Sequence, residues 1–240
     1  MASILEYANL ANAVYDDAPN VDGWIRTAFK PTGNGPHNSL QAAAYSKGGE
    51  LVFAFKGTTA NVGDIAADLK LGTGMNTVQF GQAQEFVEKT GVGSAGLVTV
   101  CGHSLGGAIA QTVGNRERMR FVTFNAPGVA VLSSRRHGQR AMSMFTGTQY
   151  LRIGGMIASA FRHPFQAAED IGSAFYRVSG LNIRLGKDVV GSWGVHYGQL
   201  LEIPYSGGAL DVAAKHKMGT MIDALTDQGY DKITLASLLN

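Results

Sequence analysis

Residues 97–107 read L-V-T-V-C-G-H-S-L-G-G and predict a strand, a sharp turn and the start of a helix. The first five residues, four of them apolar, are typical of a buried strand, and the small apolar residues within 108–113 favour a helix packed closely on a sheet. Between them stands the pattern G-x-S-x-G, which predicts that the Ser104 hydroxyl lies on a sharp turn, exposed above the sheet edge. Gly102 and Gly106 suit this turn because side chains there would clash where strand and helix cross.

Two further apolar runs predict strands before and after this unit. Residues 51–55 (L-V-F-A-F) and 121–124 (F-V-T-F) are short, apolar throughout and bounded by glycine or by an N-A-P-G turn. The spacing of apolar residues predicts helices over 3–15 and 79–89. Apolar strands alternating with helices predict a mostly parallel central sheet with helices on both faces. The G-x-S-x-G turn between a strand and a helix is typical of the α/β-hydrolase fold. We expect a single domain over residues 1–240.

Composition excludes several classes of protein. The chain has 240 residues, a formal net charge of +2, 45% hydrophobic residues and only 16% charged residues. These values exclude a disordered chain, a coiled coil and a disulfide scaffold. The weak basic excess argues against binding of nucleic acid. The single cysteine, Cys101, excludes an internal disulfide and a metal site built from several cysteines.

The sequence also gives an expectation about location. The first six residues have no basic region, so we expect no cleavable secretion signal. The longest charge-free run, residues 90–115, holds seven glycines together with His103 and Gln111, so we expect no membrane span. Location is left open between the cytoplasm and export by a non-classical route.

A serine hydroxyl needs a general base, which is usually a histidine oriented by a carboxylate. In the predicted fold the acid and then the histidine follow the serine along the chain. This order removes His37, and His137 and His163 lie too early to leave an acid between them and the serine. His196 and His216 remain as candidate bases.

Several segments together resemble the class 3 lipases, the family of the fungal triacylglycerol lipases. The family motifs are F-R-G-[ST] with W-x-x-D-L, the elbow G-H-S-L-G-G, a strand ending in F-G-x-P, and x-x-D-x-V. The matching segments are residues 56–59 (K-G-T-T) with 65–69 (I-A-A-D-L), 102–107 (G-H-S-L-G-G), 121–128 (F-V-T-F-N-A-P-G) and 186–190 (G-K-D-V-V). The resemblance spans about residues 50–225 and implies hydrolysis of lipid esters.

The resemblance also implies which residues supply the acid and the base. It places the acid at Asp188, since the competing Asp170 and Asp211 lack the flanking pattern. It favours His216 as the base, because the family histidine stands on a loop before the C-terminal helix. His196 falls in an H-x-G segment whose histidine is usually not the base in the family, and it remains the runner-up.

An oxyanion hole needs two N–H donors aimed at the developing negative oxygen. Leu105 supplies one because it follows the serine directly, and the resemblance places the other at Thr58. The chain departs from the family in three places. Lys56 replaces an arginine, the tryptophan is absent from 65–69, and residues 79–82 (Q-F-G-Q) replace an H-x-G-F segment.

Two segments are candidates for a lid or a lipid-contact surface. Residues 154–178 are amphipathic and carry Met156 and three phenylalanines, so a mobile apolar flap there would shield an acyl chain. Residues 72–77 lie where family lids usually lie, but the loop is short. The alternative for 154–178 is a pair of core helices.

We therefore expect a serine carboxylester hydrolase, a lipase or phospholipase with a Ser-His-Asp triad, a covalent acyl-enzyme and no cofactor or metal. The chain is also similar to bacterial lipase effectors of type VI secretion. That similarity implies a lipid ester as substrate, peripheral contact with a membrane and an immunity protein as partner. The alternatives are a small-ester esterase or thioesterase, and a catalytically inactive binding module of the same fold.

Overall fold

The computed structural model describes residues 1–33, 39–57, 77–129, 179–186, 188–205 and 212–239. Within these ranges the chain forms a sheet of eight strands whose spatial order follows the sequence. The strands are β1 (Asn20–Val21), β2 (Trp24–Lys30), β3 (Ala42–Lys47), β4 (Glu50–Phe55), β5 (Leu97–His103), β6 (Arg120–Phe124), β7 (Gly180–Leu185) and β8 (Gln199–Ile203). The helices are α1 (Ile4–Ala13), α2 (Thr77–Thr90), α3 (Leu105–Glu117), α4 (Val212–His216), α5 (Met218–Asp227) and α6 (Leu235–Leu239).

The sheet begins antiparallel and continues parallel. Strands β1 to β4 pair in antiparallel fashion, and β4 to β8 pair in parallel. In the parallel part Phe55 pairs with Gly102, His103 pairs with Phe124, and Phe124 pairs with Ile183. The carboxyl ends of β4, β5, β6 and β7 therefore meet at one edge, which is where open α/β sheets place their ligand sites.

Helices cover both faces of this sheet, as the sequence predicts. Side chains alternate between the faces along each strand. On one face Val52 and Cys101 belong to a core shared with α1 and α5. On the other face Phe53 and Val100 belong to a core shared with α2 and α3. The predicted α/β-hydrolase architecture is confirmed.

Helix α1 begins where the sequence places a capping residue. The Glu6 N–H donates to Ser3 Oγ at 3.1 Å, and the Ser3 N–H donates to Glu6 Oε2 at 2.9 Å. This reciprocal pair satisfies two N–H groups that the first turn leaves without helical partners. The apolar side of the helix, including Tyr7 and Leu10, is fully buried.

The C-terminal helical pattern is interrupted in the structure. The spacing predicts one helix over 210–225, whereas α4 ends at His216 and α5 begins at Met218. Lys217 between them has an extended backbone, with φ −69° and ψ 138°. The break leaves His216 at the end of a short helix, beside the carboxyl edge of the sheet. Both candidate lids, 154–178 and residues 72–76 of the shorter loop, lie outside the described residues.

Candidate active site

Ser104 lies at the turn between β5 and α3, in a conformation that few non-glycine residues adopt. Its φ is +55° and its ψ is −127°, and its N–H donates to the carbonyl oxygen of Phe124 at 3.0 Å. Backbone strain of this kind costs about 1–3 kcal/mol and persists where the surroundings enforce it. Contrary to the sequence expectation, Ser104 is only 1% exposed. The imidazole of His216 lies against its hydroxyl.

The glycines of the elbow allow β5 and α3 to cross at close range. A Cβ at Gly102 would collide with the backbone of Gly106, and a Cβ at Gly106 would collide with the carbonyl oxygen of Phe55. A Cβ at Gly107 would collide with the Cβ of Ala126. The turn therefore depends on glycine for space, which is the reason that the sequence gives for these residues.

Ser104, His216 and Asp188 form one hydrogen-bonded row. The distance from His216 Nε2 to Ser104 Oγ is 2.8 Å, and that from His216 Nδ1 to Asp188 Oδ2 is 3.0 Å. All three are buried, with exposures of 1%, 4% and 0% for the serine, the histidine and the aspartate. Since an ionised carboxylate only accepts, Nδ1 donates to Asp188, and Nε2 is left to accept from the Ser104 hydroxyl.

The carboxylate of Asp188 is held by its own loop. Its Oδ1 accepts from the Gly191 N–H at 2.5 Å, which leaves Oδ2 directed at His216. The Asp188 carbonyl oxygen accepts from the N–H of Ser192 at 3.1 Å and from its hydroxyl at 2.5 Å. These bonds orient the carboxylate before any substrate arrives.

His196, the runner-up base, has a different partner. It is buried, and its Nε2 donates to the carbonyl oxygen of Ala126 at 2.8 Å. Burial lowers the pKa of His196 and so favours its neutral ring, while the bond to Ala126 acts in the opposite direction. The structure thus places His216, not His196, against the Ser104 hydroxyl. The competing acids Asp170 and Asp211 lie outside the described residues.

One predicted oxyanion donor lies within the described residues. Leu105 is the first residue of α3, where backbone N–H groups have no helical acceptor and the helix dipole favours negative charge. Thr58 lies outside the described residues. Its neighbour Gly57 lies against the elbow, since a Cβ there would be 2.6 Å from the His103 carbonyl oxygen and 3.2 Å from the Gly106 nitrogen.

Lys56 stands where the class 3 pattern has arginine, and its amine contacts no carboxylate among the described residues. Its Nζ donates to Gln41 Oε1 at 3.2 Å and lies 5.6 Å from the ring centre of Tyr15. This position therefore contributes a polar and cation–π contact beside the end of β4.

His103 has a role that the sequence interpretation missed. Its Nε2 lies 2.6 Å from the carbonyl oxygen of His216 and must carry the proton, since a carbonyl only accepts. Burial first, and then the charge of His216, lower the pKa of His103 to about 3, so the ring is neutral. Its Nδ1 accepts from the Tyr15 hydroxyl at 3.2 Å, and that oxygen accepts from the Gly57 N–H at 2.9 Å. The only sequence signal was its place beside Ser104.

The described residues contain no group of three or more His, Cys, Asp or Glu side chains placed to hold a metal ion. None of the helices described in the structure combines the length and apolar character that crossing a bilayer requires.

The mostly parallel sheet, the serine at a strained strand-to-helix turn and the histidine–aspartate pair behind it define the class of protein as an α/β-hydrolase. A family model described as a Tle-like phospholipase domain matches residues 6–150, which is more than half of the chain. The chain belongs to this phospholipase-like family.

The comparisons with individual proteins agree with that assignment. The chain is 33% identical over 101 residues to an extracellular phospholipase A1 of Serratia liquefaciens, a match that covers 42% of this chain and 31% of that protein. The chain thus spans about a third of the length of this curated relative.

Solved structures resemble the fold at low sequence identity. A mutant form of MDLA from Penicillium cyclopium is 13% identical, with a TM-score of 0.51 and coverage of 98% of this chain and 94% of that chain. The Lip2 lipase of Yarrowia lipolytica is 13% identical, with a TM-score of 0.46 and coverage of 92% and 87%. The first of these likenesses supports the fold alone.

Proposed function

We propose that this chain is a serine carboxylester hydrolase that cleaves lipid esters through Ser104, His216 and Asp188. The observation that carries the proposal is the row of contacts from Asp188 Oδ2 to His216 Nδ1, at 3.0 Å, and from His216 Nε2 to Ser104 Oγ, at 2.8 Å. Both distances are within hydrogen-bond reach, which a general base and its nucleophile require.

The first half of the reaction forms an acyl-enzyme. Ser104 Oγ attacks the ester carbonyl carbon while its proton passes to His216 Nε2, and the carbonyl oxygen becomes an oxyanion. Asp188 stabilises the imidazolium that forms. The tetrahedral intermediate collapses, the bond to the alcohol oxygen breaks, and His216 returns its proton to the departing alcohol. The acyl group remains on Ser104.

The second half repeats these steps with water. His216 takes a proton from water, the hydroxide attacks the acyl carbon, and the fatty acid leaves as Ser104 Oγ recovers its proton. The Leu105 N–H stabilises the oxyanion in both halves, with a second donor at Thr58. Loss of one such donor typically lowers kcat by about 10²–10³.

The proposed substrates are phospholipids. The support is membership of a phospholipase-like family and the match to a protein named as a phospholipase A1. A small-ester esterase or thioesterase with the same three residues would differ in its acyl-chain profile. An inactive binding module would bind lipid without releasing product.

The test is incubation with a mixed extract of phospholipids and glycerides, with products identified by mass spectrometry. We expect free fatty acid and lysophospholipid from the wild type and neither product from Ser104→Ala. Phospholipids labelled at one acyl position then show which ester is cut. Equal product from both proteins, or no product from the folded wild type on lipids or short-chain esters, would overturn the proposal.

Membrane contact and an immunity partner belong to the same proposal. Both come from the resemblance to type VI lipase effectors, and residues 154–178 are the segment proposed to meet the lipid surface. Cosedimentation with vesicles of phosphatidylethanolamine and phosphatidylglycerol, with and without that segment, tests the contact. Binding of a purified candidate immunity protein that blocks lipid release would test the partner.

A further inference from the structure

Asn125 directly follows β6 and is fully buried. Its φ of +46° lies in the left-handed region, where glycine has no steric cost and asparagine is the best tolerated alternative. The class 3 pattern F-G-x-P, which residues 124–127 resemble, has glycine at this position. The conformation alone therefore does not account for a side chain here, whereas its contacts do.

The carboxamide of Asn125 joins the two segments that carry the acid and the base. Its Oδ1 accepts from the Leu185 N–H at 2.9 Å, and its Nδ2 donates to the Lys215 carbonyl oxygen at 2.9 Å. Leu185 ends β7, and its carbonyl oxygen accepts from the Asp188 N–H at 3.0 Å. Lys215 directly precedes His216. One side chain thus connects the backbone beside Asp188 to the backbone beside His216.

The acid loop also packs on the backbone of Asn125. A Cβ at Gly191 would be 3.3 Å from Asn125 Cα and 3.0 Å from Asp188 Oδ1. The Asn125 N–H donates to the Ile183 carbonyl oxygen at 2.8 Å. Because this packing leaves little free space, a shift of Asn125 would be transmitted to the carboxylate.

The two partners of this side chain require a carboxamide. The Leu185 N–H needs an acceptor, and the Lys215 carbonyl oxygen needs a donor. The two ends of one carboxamide supply both, each at 2.9 Å. A carboxylate at this position could accept from the Leu185 N–H, but its second oxygen would face the Lys215 carbonyl oxygen and could not donate to it. A buried polar group left without a partner is destabilising, so a short segment shifts to restore the hydrogen bond.

We propose that Asn125 is a positioning residue for ester hydrolysis at Ser104. Its carboxamide sets the alignment of His216 with Asp188 by fixing the backbone that carries each of them. The inference rests on the proposed function, and Asn125 itself touches none of the reacting atoms.

The test compares Asn125→Asp with the wild type on the soluble ester p-nitrophenyl butyrate. We expect kcat to fall about 10- to 100-fold, because a misaligned base slows the chemical step, while KM changes by less than about twofold. The rate at which a fluorophosphonate labels Ser104 should fall in parallel with kcat. A loss of folded protein alone would lower the measured number of active sites but would leave kcat per active site and KM unchanged.

Asn182 provides a matched control because it is another buried carboxamide, on β7. It accepts from Thr123 Oγ1 at 2.7 Å and donates to the Tyr197 carbonyl oxygen at 2.6 Å. Unlike the contacts of Asn125, these are made with neither Leu185 nor Lys215, the residues whose backbone leads to Asp188 and His216. We expect Asn182→Asp to lower the melting temperature but to retain kcat per active site.

Asn125→Gly is the second variant, since it restores the residue of the class 3 pattern, suits the positive φ and introduces no charge. It should show the same loss of kcat at nearly constant KM. Full kcat in either folded Asn125 variant, or a loss no larger than that of Asn182→Asp, would overturn the positioning role. Failure of both variants to fold where Asn182→Asp folds would also overturn it. An inactive and unlabelled wild type would instead remove the proposed function.

Discussion

The ring of His103 donates a hydrogen bond from Nε2 to the backbone carbonyl oxygen of His216, at 2.6 Å. The two rings lie 4.8 Å apart between their centres. The residue before the proposed nucleophile therefore holds the backbone of the proposed base. Through Tyr15 and the Gly57 N–H, the same chain of bonds reaches the end of β4.

The first prediction concerns stability in acid. An unfolded chain protonates His103 near 6.5, whereas the folded chain does so only at its lowered pKa of about 3. Between these two pKa values the unfolded state binds more protons than the folded state, so the folded state loses stability as the pH falls. Between about pH 7 and pH 5, the free energy of unfolding of the wild type should fall by about 2 kcal/mol more than that of His103→Gln.

The measurement is urea unfolding of both proteins across this pH range. Glutamine retains a donor for the His216 carbonyl but has no proton to gain. Other titrating groups are common to the two proteins, so the difference between the curves isolates His103. Parallel curves would contradict the neutral, bonded state assigned to this ring.

The second prediction separates the two candidate bases. His216→Ala should lower kcat by about 10⁴- to 10⁶-fold, because Ser104 loses the group that takes its proton. His196→Ala should lower stability, since the Ala126 carbonyl loses its donor, yet retain most of its kcat. Kinetics on a soluble ester with the active sites counted would test this. A much larger loss of kcat in His196→Ala than in His216→Ala would assign the base to His196.

The third prediction concerns the acid. In Asp188→Asn the amide oxygen can still accept from the Gly191 N–H, which directs the NH₂ group at His216. The imidazole must then accept at Nδ1 and carry its proton on Nε2, the wrong tautomer for a base toward Ser104. We expect kcat to fall by about 10⁴-fold with the fold retained.

Asp223→Asn provides a control for this change, because Asp223 is exposed on α5. The variant should match the wild type in kcat and in melting temperature. Near-normal kcat for Asp188→Asn would show that this carboxylate does not orient the base.

The fourth prediction concerns the elbow. Gly106→Ala places a Cβ against the Phe55 carbonyl oxygen and should destabilise the fold by about 3 kcal/mol. Gly81→Ala is the control, because a Cβ at Gly81 in α2 meets no atom within 4 Å. That change should stabilise the fold by about 1 kcal/mol through helix propensity. Chemical denaturation of both variants tests the contrast, and equal effects would contradict the close crossing at Gly106.

Local patterns were sufficient to predict the elements that build the sheet centre. Residues 51–55, 97–101 and 121–124 are mostly apolar on both faces, and all of them except Leu97 and Val98 are buried because helices cover both sides. The G-x-S-x-G pattern was also sufficient to predict the turn. Its glycines are required where β5 and α3 cross, because a side chain there would collide with backbone. The resemblance then led to Asp188 and His216, which the structure brings together with Ser104.

Long-range contacts determine what local patterns missed. The apolar spacing over 210–225 continues through Lys217, yet the helix breaks there. In an unbroken helix the carbonyls of Lys215 and His216 would accept from N–H groups one turn later. Here they accept instead from Asn125 Nδ2 and from His103 Nε2.

One strand at the side of the sheet is longer than its composition indicates. Residues 19–36 contain glycine, proline and asparagine, which favour a loop with a short strand, and β2 runs within them from Trp24 to Lys30. It pairs with β3, so that Phe29 lies opposite Ala43. Its stability comes from this pairing and from packing on α1 rather than from its own composition.

The central claim is that Ser104 is the nucleophile, activated by His216. Its most direct test is intact-protein mass spectrometry after treatment with a fluorophosphonate, followed by mapping of the labelled peptide. We predict one adduct on the wild type, located at Ser104, no adduct on Ser104→Ala, and strongly slowed labelling of His216→Ala. An unlabelled but folded wild type, or an adduct that persists in Ser104→Ala, would contradict the claim.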